Sequence, residues 1–139
     1  MKYRWMGKTC VVRMDLNEEI VESLTRLCDQ EKIGFAEISA IGAINGGTVG
    51  VFDLDSRTYR QETLEGFMEI TSLLGSVSAM NGKPYIHLHA TLADTDHAIH
   101  SGHVTALRVG ASCEMFIRVL EGNMERERDE ALGINLWKL

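Results

Sequence analysis

Residues 9–44 read TCVVRMDLNEEIVESLTRLCDQEKIGFAEISAIGAI, and the order of patterns in this stretch sets the fold class. Its middle is helical: Ile20, Val21, Leu24, Leu27 and Cys28 fall on one apolar stripe, while Glu19, Glu22, Arg26 and Gln30 occupy the other face. Asn17 is a good N-cap residue, Glu18 and Glu19 suit the positive end of the helix dipole, and Gly34 stands where a C-terminal cap belongs. The spacing predicts one main helix over about 18–31. Both flanks read as strands. Thr9 to Leu16 enters the helix with Cys10, Val12 and Met14 on one side, and Phe35 to Ile44 leaves it.

Outward from this unit the pattern stays extended. Asn45-Gly46-Gly47 supplies a turn, and Gly46-Gly47 precedes a strand rather than a helix, so it does not read as a phosphate-cradling loop. Strands are expected at Thr48 to Leu54, Thr58 to Glu65, Met68 to Ala79, Tyr85 to Ala93 and His103 to Leu120, with Gly110 a candidate bulge in the last. Asn81-Gly82 between two of them is a hairpin signal. Ile134, Leu136, Trp137 and Leu139 suggest a short closing strand. One helix with about eight strands predicts an α+β domain built on a mostly antiparallel sheet, a single domain over 1–139.

Composition narrows the partners. The chain has 139 residues, 45% apolar and 24% charged, an ordinary globular balance. No apolar run is long enough to span a bilayer, and the start alternates Lys2, Arg4, Lys8 and Arg13 with apolar residues, unlike a signal peptide. Cys10, Cys28 and Cys113 are odd in number and lack motif spacing, which points to no disulfide framework and a cytoplasmic location. Fourteen Lys and Arg against 20 Asp and Glu give a net charge of −6, which disfavours a general phosphate-binding role. Two basic groups could still form a patch: the N-terminal four, and Arg118, Arg126 and Arg128. The latter lie among Glu121, Glu125, Glu127, Asp129 and Glu130 and read as neutralised by them.

All five histidines fall between His87 and His103. Random placement would crowd them so in about one chain in a thousand. His87 and His89, two apart in a strand, leave the same face with Cα atoms about 6.6 Å apart, a span that one metal ion can bridge. If residues 94–102 form a returning loop, His103 completes a three-nitrogen set with an open coordination position. His97 and His100 lie in that loop, beside Asp94 and Asp96, and read as exposed rather than ligating. Tyr85 and Thr91 share the His87 and His89 face. Glu69 and Glu114, both on strands, are the carboxylates available as a general acid or base, or else as exposed charges.

The string Pro84-Tyr85-Ile86-His87-Leu88-His89-Ala90 with Ser101-Gly102-His103 resembles the PPC (plants-and-prokaryotes conserved) domain family, whose signature is His-x-His, a loop, then Gly-Gly-His. Ile41-Gly42-Ala43, the run from Met68 to Gly75, Cys113-Glu114 and the region Arg126 to Gly133 support the resemblance, which extends from about Lys8 to Leu136. It implies a curved, mainly antiparallel sheet with one main helix, assembled as a homotrimer. It also implies a zinc ion held by His87, His89 and His103. Ser101 departs from the pattern, standing where the family has glycine; serine would be strained at a positive φ. Bacterial members are often labelled DNA-binding, but plant relatives bind AT-rich DNA through a separate Arg-Gly-Arg-Pro segment, and no such segment occurs here.

Three functions follow. The first is a homotrimeric module with a metal or small-ligand site and a regulatory or assembly role. The second is a zinc-dependent hydrolase or lyase that activates water at His87, His89 and His103. The third, DNA binding, is what the family label suggests and what the charge disfavours.

Overall fold

The computed structural model describes residues 1–139, and its helix, α1, spans Ile20–Gln30. Ile20, Ser23, Leu24, Leu27 and Cys28 are buried, so the apolar stripe faces the core as its spacing predicts. Both ends differ from the sequence reading. The N-cap is Glu19, not Asn17: its Oε2 accepts the Glu22 amide at 2.6 Å and its Oε1 accepts the Leu107 amide at 3.0 Å. One carboxylate thus caps the helix and ties it to a strand, a tertiary link invisible to a local capping rule. Asn17 instead turns the chain at φ 69, a left-handed conformation asparagine tolerates. At the other end Lys32, not Gly34, is left-handed (φ 56), and the Ile33 amide donates to Cys28 O at 2.9 Å, the wide bond of a Schellman cap.

Eight strands surround the helix: β1 (Lys2–Met6), β2 (Thr9–Met14), β3 (Ala36–Asp53), β4 (Thr58–Met80), β5 (Lys83–Ala93), β6 (Ile99–Val119), β7 (Arg126–Asp129) and β8 (Ile134–Trp137). The first six form an antiparallel sheet in the order β1-β2-β6-β3-β4-β5. The start of β6 pairs again with β5, so β6, β3, β4 and β5 close on themselves. β7 and β8 form a separate C-terminal hairpin. The fold class is therefore as the sequence predicts, mostly antiparallel with a single helix.

The strands are longer and fewer in the middle than expected. Asn45-Gly46-Gly47 does not turn the chain. β3 runs through it with a register shift against β4, Gly46 taking φ 97. Gly66 (φ 81) likewise sits inside β4, joining two segments that read as separate strands. Residues 81–82 do form the tight turn between β4 and β5, both with positive φ (54 and 73) as such a hairpin requires.

Alternation divides the sheet. Cys10, Val12, Met14, Ile38, Leu73, Leu88, Leu92, Cys113, Met115 and Ile117 are buried with the helix in one core cluster. Their neighbours turn outward, where Ile41, Leu74 and Phe116 are 60%, 56% and 53% exposed. No helix is long and apolar enough to cross a membrane.

Candidate metal centre

His87 and His89 alternate on β5 with buried Leu88, so both project from the outward face. The turn after β5 is short. Asp94 Oδ1 accepts the amides of Asp96 and Ala98, both at 2.9 Å, and β6 begins at Ile99, so the expected nine-residue loop shrinks to a five-residue turn. β6 then returns beside β5 with His103 directly opposite His89. The returning loop the sequence called for is thus present, and it brings the three imidazoles together.

Two glycines make the approach possible. Gly102 has φ 157, and a Cβ there would lie 3.1 Å from the Gly50 backbone nitrogen and carbonyl carbon. Gly75, on β4 behind His87, lies where a Cβ would run into the His87 carbonyl oxygen. Ser101 takes no positive φ, so serine fits where the family has glycine.

The ring centroids of His87, His89 and His103 are 5.1, 5.1 and 5.5 Å apart, and one nitrogen from each lies within 4.8 Å of the others. His87 Nε2 and His89 Nε2 face each other at 3.2 Å. Burial lowers the His87 pKa to about 4, helped by His103, Arg126 and His89, and burial also lowers that of His103. Both are therefore neutral at pH 7, the form that binds a metal. His103 Nδ1 is buried with no hydrogen-bond partner. Such an orphaned atom is costly unless something outside the chain satisfies it. An all-nitrogen donor set with an orphaned nitrogen fits zinc or a similar borderline metal ion.

The residues around the cluster were partly missed by sequence reasoning. Arg126 is 9% exposed; its Nε donates to Ser78 Oγ at 2.8 Å, its Nη1 to Asn135 O at 2.8 Å, and its Nη2 lies 3.2 Å from His87 Nδ1. It is not neutralised by neighbouring acids as its alternating Glu-Arg-Glu-Arg run suggests. β7 turns Arg126 inward over the Tyr85 ring (4.8 Å) and near that of Trp137 (5.7 Å). Arg118 and Arg128 do pair with acids, Glu37 and Glu130. Tyr59, from the start of β4, lays its ring 5.0 Å from that of His103. No local motif marks Tyr59, because the closure of the sheet brings it there.

Tyr85 and Thr91 are near the site as expected. Tyr85 accepts a 3.3 Å hydrogen bond from Asn135 Nδ2, and Thr91 lines a cavity of about 270 Å³ with Ser72, Leu74, His89, Ser101 and Gly102. Glu69 stands opposite Ala93, four residues beyond His89 along β5, which is about 13 Å in a strand. Glu114 lies opposite Arg13 and Ile41, lining a groove of about 670 Å³ with Lys2, Arg4 and Phe116. Neither joins the histidine cluster. His97 is exposed in the turn, as expected. His100 is not an exposed loop residue: it lies half-buried in β6 with Nδ1 2.7 Å from Glu62 and Nε2 3.4 Å from Asp94, which raise its pKa.

These features define a small β-rich domain with a tri-histidine cluster at the seam where its sheet closes. The chain belongs to the Plants and Prokaryotes Conserved (PCC) domain family, whose model matches residues 1–121. It is similar to a "putative dna binding protein" from Bacteroides thetaiotaomicron at 28% identity and TM-score 0.95, covering 99% of this chain and 96% of that one. A "Metal-containing Protein" from Archaeoglobus fulgidus is 33% identical with TM-score 0.89, each chain covered in full (100%). A "plant- and prokaryote-conserved (PPC) protein" from Pyrococcus horikoshii is 26% identical with TM-score 0.88, covering 99% of this chain and 95% of that one. The comparison with curated proteins finds no match.

Proposed function

We propose that this chain is a homotrimeric, cytoplasmic metal-binding module in which His87, His89 and His103 hold a zinc ion, serving a ligand-binding or regulatory role. The observation that carries the reading is the convergence of three imidazoles, His87 and His103 held neutral by burial and His103 with an orphaned buried nitrogen. The Archaeoglobus relative, described as metal-containing, supports it. Assembly draws support from the outward sheet face, where exposed Ile41, Leu74 and Phe116 present an apolar surface of the kind that self-association covers.

A bound zinc ion supplies a Lewis acid able to polarise an oxygen or acidify a water. The chain's own contribution is to orient the three rings and to wall the site with Tyr59 and Arg126. The enzymatic reading rests on this same centre, but Glu69 and Glu114, the carboxylates the sequence offered as its acid or base, both lie away from the three histidines. DNA binding, the description given to the Bacteroides relative, has one supporting observation in this chain: Lys2, Arg4 and Arg13 line one groove. The net charge of −6 weighs against it.

Metal analysis by mass spectrometry of untagged protein, beside His89→Ala, tests the site. About one zinc per chain, lost in the variant, is expected; metal-free protein after purification with added zinc refutes it. Sedimentation equilibrium tests the assembly in the same preparation, a monomer mass refuting the trimer.

A further inference from the structure

We propose that Arg126 holds His87 in the tautomer that rejects a metal ion, so that metal entry is coupled to the β7–β8 hairpin; this rests on the metal-binding reading above. A guanidinium has only donors. With Arg126 Nη2 at 3.2 Å, His87 Nδ1 presents its lone pair, and the ring hydrogen sits on Nε2. That Nε2 faces His89 Nε2 at 3.2 Å and donates to it. His89 therefore turns a lone pair toward the cluster, as a ligand must, whereas His87 turns a hydrogen.

A neutral histidine ligates through its bare nitrogen and gives its N–H to an acceptor. His87 has the reverse arrangement at both ends. For it to ligate, the hydrogen must leave Nε2 and, by exchange with solvent, return on Nδ1. There it meets the N–H groups of Arg126, and the guanidinium must withdraw.

Arg126 cannot withdraw alone. It is bonded to Ser78 Oγ and Asn135 O, both at 2.8 Å, and lies near the Tyr85 and Trp137 rings. Asn135 and Trp137 belong to β8, and Arg126 begins β7. Withdrawal therefore disturbs the hairpin. By linkage, anything that draws the hairpin away from β4 tightens metal binding. The metal centre and the C-terminal hairpin are two ends of one switch.

Zinc affinity is measured by competition with a chromogenic chelator on the full chain, for parent, Arg126→Gln and Arg126→Lys. Glutamine offers an oxygen to His87 Nδ1–H, so Arg126→Gln binds zinc about tenfold tighter or more. Arg126→Lys, still a cationic donor, shows no such gain. In a Trp5→Phe background, zinc alters Trp137 emission in the parent chain. Long-range ¹H–¹⁵N correlation needs no variant at Arg126: His87 reads as the Nε2–H tautomer without zinc and the Nδ1–H tautomer with it. A parent that binds zinc while Arg126→Gln gains nothing, or whose His87 keeps one tautomer throughout, overturns this proposal and leaves the metal site standing. Unchanged Trp137 emission overturns the coupling to the hairpin. No zinc bound by any of the chains overturns the metal site and this proposal together.

Discussion

Replacing Gly75 by alanine probes how the sheet holds the histidines. Gly75 pairs with Ile38 on one side and Leu88 on the other, and an added Cβ would strike the His87 carbonyl oxygen, with Leu88 Cδ2 at 2.8 Å and His87 C at 2.9 Å. Leu88 can rotate its methyl away, but the His87 backbone moves only if β5 shifts from β4. Overpacking of this kind costs about 1–3 kcal/mol. A weakened ladder hydrogen bond adds about 1 kcal/mol, for a total of about 2–4 kcal/mol. Unfolding entropy of about 2.1 cal/mol/K per residue gives about 0.3 kcal/mol/K for this chain, so Tm falls by about 7–13 °C. Gly34→Ala is the control. Its Cβ would meet only the Asn123 side chain, which can swing aside, so its Tm changes by less than about 3 °C. Circular dichroism melts of the two variants give the answer. A Gly75→Ala loss no larger than that of Gly34→Ala would refute the crowding argument.

Two other regions give separate tests. Glu62 and then Asp94 raise the His100 pKa, so the contribution of this cluster is complete below the ordinary histidine value of about 6.5 and is lost as pH rises through the raised folded value. His100→Gln is expected to lower Tm by about 1–3 °C at pH 6 and not at pH 9 in matched melts; an equal loss at both would contradict it. Burial pushes the Cys28 and Cys113 thiols up to about 12, and Cys10 is also raised by burial. A thiol reagent at pH 8 is expected to label none of them in the native chain and all of them in denaturant. Rapid native labelling would show that these thiols are not held in the core.

The sequence made the helix legible because its apolar stripe is long and periodic, and the strands legible because their alternation survives. The boundaries failed where tertiary structure decides. Glu19 outcompetes Asn17 as the cap because its carboxylate also satisfies the Leu107 amide across the chain. Gly46 and Gly66 read as turn residues yet serve as irregularities inside long strands, since a sheet that closes on itself must bend. β7 is charged at all four positions, which masks its strand character, and β1, whose Lys2 and Arg4 alternate with Tyr3 and Trp5, is exposed along its whole length.

The pair His87 and His89 was legible from spacing, because a period of two puts them on one face, whereas His103 joined them only on the condition that residues 94–102 return and through the family resemblance. The surroundings of the cluster were not legible. Arg126 lies 39 residues beyond His87, and Tyr59 arrives only through the pairing of β6 with both β3 and β5.

The central claim is that these three imidazoles hold one metal ion. Anomalous diffraction above and below the zinc edge, on crystals grown from untagged protein with zinc, tests it most directly. The account predicts a single strong anomalous peak per chain, bounded by His87, His89 and His103 and absent below the edge. No peak there, or peaks only at other surface groups, would contradict it.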